Sequence, residues 1–324
     1  MSISTRPPRP DFLIIGAPKA GTTALHSALT RHPQIFSTRP KEPKYWLCGD
    51  VPPPHFSGPG DRHSQQEWIW QRERYEALFA GAEAHQVRGE STAFYLWNGA
   101  ARRRIAEKLP GVRLIAVLRD PIERAYSNWM HLWCDGLEPV PDFLEAFALE
   151  EERIARGWAP FWRYRELGLY GGQLSALQQL VDPEQLLVLR YRQLVEDPQG
   201  TLNRTCDFLG VETGLLGDMP RDNARAYVAP GWRTRTVGPL VRAGARAGQF
   251  APPQVWRRVE PSARRLLRGG SRAVRPHLTP EQRSALLPAF AEDVDLLTRV
   301  TGDDYSAWLS EKSSGSFDQR RATA

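Results

Sequence analysis

The stretch DFLIIGAPKAGTTAL, residues 11–25, joins a short apolar run to a glycine-containing turn and then to a helical pattern. The run at 11–15 is typical of a strand buried in a parallel sheet. From Thr22 onward the apolar residues recur at helical spacing, and Pro33 ends the pattern. This order of strand, turn and helix predicts the first unit of an α/β fold.

The turn within this stretch has the glycine spacing of a phosphate-binding loop but an altered lysine position. Gly16 and Gly21 match the pattern G-x-x-x-x-G-K-[ST], whereas Thr22 stands at the lysine position and Lys19 lies in mid-loop. Backbone N–H groups after such a turn, together with the helix dipole, attract an anion. The sequence therefore predicts an anion site, with an ordinary strand–helix turn and a solvated lysine as the alternative.

Two more apolar runs, at 112–119 and 185–191, have the length of buried strands. The first is followed by a helical pattern that Asp120 can cap, with Pro121 at the first helical position. Strands that alternate with helices favour an α/β fold with a central parallel β-sheet flanked by helices.

A second anion-binding pair is predicted at the end of the 112–119 strand. Arg119 occupies the strand end, where open α/β sheets place ligand-binding residues. Ser127 lies about two helical turns further on, so the arginine fork and the serine hydroxyl are candidates to clamp one phosphate. The alternative is that Arg119 pairs with an acid and Ser127 is an ordinary helix residue.

The remaining segments differ in composition from this core. Residues 278–302 predict a helix, with Thr279 as its cap, Pro280 at the first position and Gln282 completing a capping box. The other assignments are a flexible arm at 1–10, a Pro- and Gly-rich loop or lid at 49–66, a basic insertion or cap at 231–276 that holds eleven arginines, and a disordered tail at 310–324.

Composition and charge narrow the class of protein only broadly. The chain of 324 residues is 41% hydrophobic and 25% charged, without an apolar run of the ~18 residues that a membrane span needs. The first ten residues lack the apolar region of a signal peptide, so we expect a cytoplasmic protein that is not bound to a membrane. Cys48, Cys134 and Cys206 are widely spaced, which predicts free thiols. The net charge of +6 suits acidic ligands.

The motifs PKAGTTAL and LRDPIERAYSNWMHLW together resemble the sulfotransferases that use 3′-phosphoadenosine-5′-phosphosulfate, PAPS, and release 3′-phosphoadenosine-5′-phosphate, PAP. The resemblance covers most of residues 11–309 and is nearest to the heparan-type and bacterial branch. It implies a three-layer P-loop-like fold in one domain at 11–309. It also implies that Arg119 and Ser127 bind the 3′-phosphate. The implied contacts to the 5′-phosphosulfate are Pro18, Lys19, Ala20, Gly21, Thr22, Thr23 and Ala24.

The resemblance also assigns catalytic roles. Lys19 is placed to stabilise the charge that grows on the bridging oxygen as the S–O bond breaks, and the chemistry requires no metal. Glu42, in KEPKYW, matches the base of the heparan-type enzymes, and His131 is a rival candidate for that role. Glu90 and Trp46 are candidates for acceptor binding. Heparan-type relatives have a lysine after this glutamate, whereas this chain has Ser91.

Adenosine recognition is expected from later in the chain, where Arg233 and Arg235 are candidate phosphate contacts. The expected acceptor is a small molecule or a glycoside, with no nucleic acid as partner, and a homo-oligomer stays open.

Three alternative functions remain. A P-loop kinase needs a lysine after Gly21 and an acidic metal ligand. A non-enzymatic binder of acidic polymers needs only the basic segment. The third is a sulfotransferase-like domain without activity.

Overall fold

The computed structural model describes residues 8–219, 227–229, 231–247 and 276–311. These residues divide into two compact units. Unit 1 contains residues 8–53, 68–119 and 170–219. Unit 2 contains residues 54–67 and 120–169 and the described residues from 227 onward. The predicted domain boundaries are not tested by this division and stay a prediction.

Unit 1 holds a five-stranded sheet in which every neighbouring pair is parallel. Its strands are β1 (Phe12–Gly16), β2 (Ile35–Ser37), β3 (Val87–Ser91), β4 (Arg113–Leu118) and β5 (Leu186–Arg190). Their spatial order is β2-β3-β1-β4-β5. This confirms the predicted α/β fold with a central parallel sheet, and the runs at 11–15, 112–119 and 185–191 are β1, β4 and β5.

Side-chain burial explains why these short runs form the centre of the sheet. All five residues of β1 are buried, as are five of the six residues of β4. Strands covered on both faces favour continuous apolar runs, because neither face meets water. Between β1 and β3 the packing is close enough to require a glycine: a Cβ atom on Gly89 would lie 2.0 Å from the ring of Phe12.

Helices follow the strands and complete both units. In chain order they are α1 (Thr22–Leu29), α2 (Tyr45–Cys48), α3 (Asp61–Gln65), α4 (Arg72–Glu76), α5 (Gly99–Lys108), α6 (Pro121–Cys134), α7 (Phe143–Ala148), α8 (Glu150–Ala155), α9 (Tyr170–Gln178), α10 (Tyr191–Glu196), α11 (Pro198–Leu209), α12 (Trp232–Ala247), α13 (Pro280–Leu286) and α14 (Ala291–Thr301). None of the described helices is long and apolar enough to cross a membrane.

The caps of two helices confirm the sequence prediction, whereas one predicted helix is divided. The carboxylate of Asp120 accepts from the backbone N–H groups of Ile122 and Glu123 at the start of α6. Thr279 caps α13 with the predicted capping box. The single helix predicted over 278–302 is wrong, because a 3₁₀ turn at Leu287–Ala289 separates α13 from α14. Pro288 lies in that turn, and proline cannot donate a helical hydrogen bond.

The segments assigned by composition are described only in part. Within the predicted loop at 49–66, the carboxylate of Asp61 accepts from the backbone of Gly58 and Ala159 and from the indole of Trp162. Of the basic segment, 231–247 contains α12, and residues 248–275 lie outside the described residues. The same holds for most of the predicted arm and tail. The three cysteines are buried free thiols, as predicted.

Candidate functional site

The turn between β1 and α1 carries the predicted anion site. Helix α1 begins after Gly21, whose φ of 92° is left-handed, and no side chain caps its first turn. That turn also holds no acidic residue. Lys19, in the middle of the turn, is partly exposed and has a φ of 67°. A non-glycine residue at positive φ is uncommon and costs free energy, so the fold holds the lysine in a specific conformation.

Helix α1 begins without a side-chain cap, as α2, α4, α8 and α14 also do. Uncapped N–H groups at a helix start attract a ligand anion, because they have no intrahelical partner. Five other helices carry a side-chain acceptor at this position: α5 (Asn98), α6 (Asp120), α7 (Asp142), α11 (Asp197) and α13 (Thr279).

Arg119 lies at the carboxyl end of β4, next to β1 in the sheet. After β1 the chain turns toward β2 on one side, and after β4 it turns toward β5 on the other. Such a switch point opens a crevice where open α/β sheets bind ligands. The guanidinium of Arg119 lies 4.6 Å from the centre of the Tyr191 ring, and a Cβ atom on Gly21 would lie 2.9 Å from that ring. Tyr191 therefore contacts both predicted anion-binding elements of unit 1.

The three other predicted cofactor contacts and the rival base His131 belong to unit 2. Ser127 and His131 lie on α6, and the His131 imidazole is 3.6 Å from the Asp135 carboxylate. Arg233 and Arg235 lie on α12, where Arg235 is exposed. The roles predicted for these four residues stay predictions. Within unit 2, the Asp120 carboxylate that caps α6 also accepts a 2.6 Å hydrogen bond from Arg283, and both side chains are buried.

Glu42 lies in the segment 42–46, called the 42–46 turn below, which leads into α2 and contacts the end of β3. Its φ is 61° and that of Lys44 is 65°, so two left-handed residues stand one residue apart. The backbone N–H of Glu42 donates to the carbonyl oxygen of Ser91 at 2.9 Å. The Glu42 carboxylate is about a quarter exposed and pairs with the ammonium of Lys41 at 2.9 Å.

The charges around Glu42 keep its side chain ionised. Burial opposes the charged form, but the charges of Lys41 and Lys44 and the hydrogen bond from Lys41 outweigh it and lower the pKa of Glu42. His26, on α1, hydrogen-bonds through Nδ1 to the Ser91 hydroxyl at 2.8 Å. Its burial, with the charge of Lys41 added, lowers the pKa of His26 to about 4, so the imidazole is neutral at pH 7.

Glu90 is completely buried at the end of β3. Its carboxylate accepts from the hydroxyls of Tyr95 at 2.7 Å, Thr92 at 3.0 Å and Tyr75 at 3.3 Å. Trp46 is also buried, and its indole donates to the Tyr75 hydroxyl at 2.9 Å. Direct contact of Glu90 or Trp46 with an acceptor stays a prediction that this burial disfavours.

The sequence analysis did not identify Tyr191, Tyr75, Tyr95 and Thr92. Tyr191 directly follows β5, and its place at the end of a parallel strand was a signal that was available. The two other tyrosines and the threonine carry no local signal, because their role depends on a carboxylate reached from different segments.

Comparisons with known proteins point to one family. A family profile described as the sulfotransferase family matches residues 10–214. Heparan sulfate glucosamine 3-O-sulfotransferase 3B1 of Mus musculus is 29% identical over 204 residues, which is 63% of this chain and 46% of that protein. Carbohydrate sulfotransferase 15 of Homo sapiens is 25% identical over 281 residues, 71% of this chain and 49% of that protein.

Among solved structures, a sulfotransferase from Alicyclobacillus acidocaldarius matches with a TM-score of 0.72 and 28% identity, covering 93% of this chain and 99% of that one. The chain spans about half the length of the two curated relatives named above. The profile covers the β1–α1 turn, the 42–46 turn, Arg119 and Tyr191, which are the parts that build the candidate site in unit 1. The chain therefore belongs to the sulfotransferase family.

Proposed function

We propose that the protein transfers the sulfuryl group of PAPS to a hydroxyl of a glycoside or other small acceptor. The observation that carries this proposal is the start of α1: an uncapped N-terminus without an acid in its first turn, preceded by Lys19 in left-handed conformation. This arrangement favours a multiply charged anion over a neutral ligand. Family membership favours sulfuryl transfer over the kinase and over the non-enzymatic binder.

The residues present fit a nucleotide that carries phosphate at two positions. The first turn of α1, with Thr22 and Thr23, would hold the 5′-phosphosulfate. Arg119, at the switch point and against Tyr191, would hold the 3′-phosphate. Ser127, Arg233 and Arg235 remain further candidate contacts, and PAPS supplies the sulfuryl group when bound.

Glu42 would act on the proton of the acceptor, and Lys19 would act on the charge of the leaving phosphate. The Glu42 carboxylate would accept the proton of the acceptor hydroxyl as the new O–S bond forms, which requires the ionised state that its lowered pKa provides. The Lys19 ammonium would stabilise the negative charge left on the phosphate oxygen as the old S–O bond breaks. His131 stays a second candidate for the base.

The class of acceptor rests on the relatives. The two curated relatives are named for transfer to a heparan sulfate glucosamine and to carbohydrate. We therefore propose a sugar hydroxyl as the first acceptor class to test, with non-sugar hydroxyls as the second.

Two linked measurements test the proposal. Calorimetric titration with PAP, beside ATP with Mg²⁺, should show metal-independent binding of PAP that Arg119→Ala weakens. Transfer of ³⁵S from labelled PAPS is then measured on heparosan oligosaccharides and p-nitrophenyl glycosides. Binding of ATP with Mg²⁺ alone would favour the kinase, and binding of neither nucleotide would favour the non-enzymatic binder.

A further inference from the structure

The buried carboxylate of Glu90 is the centre of a hydrogen-bond network that ends at the turn carrying Glu42. Three hydroxyls donate to it, those of Tyr75, Thr92 and Tyr95. They come from separate segments: Tyr75 lies on α4, and the other two follow β3. A carboxylate with no exposed surface would be costly to bury without such donors.

Each of these hydroxyls also accepts a hydrogen bond from the 42–46 turn. The Thr92 hydroxyl accepts from the backbone N–H of Lys44 at 3.2 Å. The Tyr95 hydroxyl accepts from the backbone N–H of Trp46 at 3.3 Å, and the Tyr75 hydroxyl accepts from the indole of Trp46 at 2.9 Å. Three hydrogen-bond chains therefore run from the turn through a hydroxyl to Glu90.

The ionised carboxylate determines the direction of all three chains. It can only accept, so each hydroxyl points its single hydrogen at Glu90 and leaves its lone pairs toward the turn. A protonated carboxyl or an amide at position 90 brings hydrogens of its own, which compete with those of the hydroxyls. The hydroxyls would then turn, and the N–H groups of Lys44 and Trp46 would lose acceptors.

The turn needs this support because its backbone is strained. Glu42 and Lys44 both have positive φ, and such conformations persist only where the surroundings hold them. The backbone N–H of Glu42 also donates to the carbonyl oxygen of Ser91, the residue next to Glu90.

We propose that Glu90 is a positioning residue: through the hydroxyls of Thr92, Tyr95 and Tyr75 it holds the 42–46 turn, and so sets the Glu42 carboxylate for its role as base. The catalytic consequence rests on the function proposed above, whereas the structural consequence does not. A base displaced by about 1 Å can cost ~100-fold in rate, so modest relaxation of the turn would be measurable.

The titration of Glu90 supports the same assignment. Burial, with a smaller contribution from the Glu42 charge, raises its pKa to about 7 against the three hydroxyl hydrogen bonds. The ionisable groups that face it are Tyr75, Tyr95 and Glu42. As pH falls through about 7 the carboxyl gains a proton that competes with the hydroxyl hydrogens, and we expect kcat to fall with it.

Three variants of the full chain test the proposal. Glu90→Gln keeps the shape and removes the acceptor-only group, and Thr92→Val removes one hydroxyl. Thr205→Val is the matched control: it is the same change at a fully buried threonine of unit 1, whose hydroxyl donates only within α11, to the Thr201 carbonyl. Thr92→Ser keeps the hydroxyl that Thr92→Val removes, so it should keep the wild-type position of the 42–46 turn and the wild-type kcat.

The first readout is the crystal structure of each variant, which needs no acceptor. Residues 42–46 should shift in Glu90→Gln and Thr92→Val and keep their place in Thr205→Val. An unchanged turn in the first two variants overturns the proposal. If Glu90→Gln does not fold, the position of residues 42–46 in Thr92→Val alone tests the proposal.

The second readout is ³⁵S transfer to the best acceptor of the glycoside panel. We expect kcat to fall ~10- to 100-fold in Glu90→Gln and Thr92→Val with unchanged PAP affinity, and less than twofold in Thr205→Val. The acidic limb near pH 7 should disappear in Glu90→Gln, whereas a merely structural role would leave the pH profile in place. Absence of transfer by the wild type would reject the proposed function and leave the test of the turn intact.

Discussion

The guanidinium carbon of Arg119 lies 4.6 Å from the centre of the Tyr191 ring, within cation–π distance. The same ring would lie 2.9 Å from a Cβ atom on Gly21, at the start of α1. One aromatic side chain thus supports the arginine at the end of β4 and limits the space beside the β1–α1 turn.

Replacing Tyr191 with leucine should weaken PAP binding. The change removes the cation–π contact with Arg119, worth about 1–2 kcal/mol, so the Kd for PAP should rise about 5- to 30-fold. Tyr191→Phe keeps the ring and should keep most of the affinity. Calorimetry measures both, and equal affinity in the leucine variant would show that Tyr191 does not support the site.

Gly21→Ala should damage both stability and binding. Its φ of 92° costs an L-residue about 1–2 kcal/mol, and the new methyl group meets the Tyr191 ring. Gly111→Ala is the matched control, with a φ of 77° and no atom within 4 Å of the added Cβ. Urea unfolding should show the conformational cost in both variants. Loss of PAP affinity should occur only in Gly21→Ala, and equal affinity in the two would contradict the proposed role of the turn.

Lys19→Ala should separate catalysis from cofactor binding. If its ammonium stabilises charge that develops only as the S–O bond breaks, kcat should fall by ~100-fold or more while the Kd for PAP changes much less. Lys108→Ala removes the same charge at the exposed end of α5 and should leave kcat unchanged. Single-turnover kinetics with labelled PAPS measures the step. A kcat equal to that of the wild type would remove Lys19 from the mechanism.

His26 should make stability depend on pH in a defined window. The unfolded imidazole takes up a proton near pH 6.5, whereas burial lowers the folded pKa to about 4. Between these values only the unfolded state is protonated, so stability falls as pH is lowered, by up to about 3 kcal/mol. Urea unfolding at several pH values should show a weaker loss in His26→Gln. Glu90 titrates in an overlapping pH range in both proteins, so only the difference between the two stability curves reports on His26. An equal loss of stability in the wild type and in His26→Gln would refute the assignment.

Local patterns in the sequence were sufficient for the strands and for several helix starts. The continuous apolar runs around Ile14 and Ile115 predicted β1 and β4, because strands buried on both faces need apolar residues throughout. Asp120 and Thr279 predicted their helix starts, because a cap acts within three residues of itself. The division of 278–302 was missed, although Pro288 was a visible signal for it.

Lys19 and Arg119 were also readable as candidate site residues, since turn spacing and strand ends are properties of neighbouring residues, whereas Glu42 came from the resemblance of KEPKYW to the heparan-type enzymes. The tertiary contacts of these residues could not be read from the sequence. That Tyr191 contacts both Gly21 and Arg119 follows from the order β1-β4-β5, which joins segments about 170 residues apart in sequence.

Glu90 shows most clearly that a residue's role cannot be read from the sequence without its tertiary contacts. In the sequence it is a carboxylate after a strand-like run and a candidate for acceptor binding, but the fold buries it completely beneath three hydroxyls. Whether a carboxylate faces a ligand or supports a neighbouring turn depends on burial and on donors from distant segments. Chain-local chemistry therefore determined which residues carry charge and where strands and helices begin, and tertiary packing decided their protonation, their partners and their orientation.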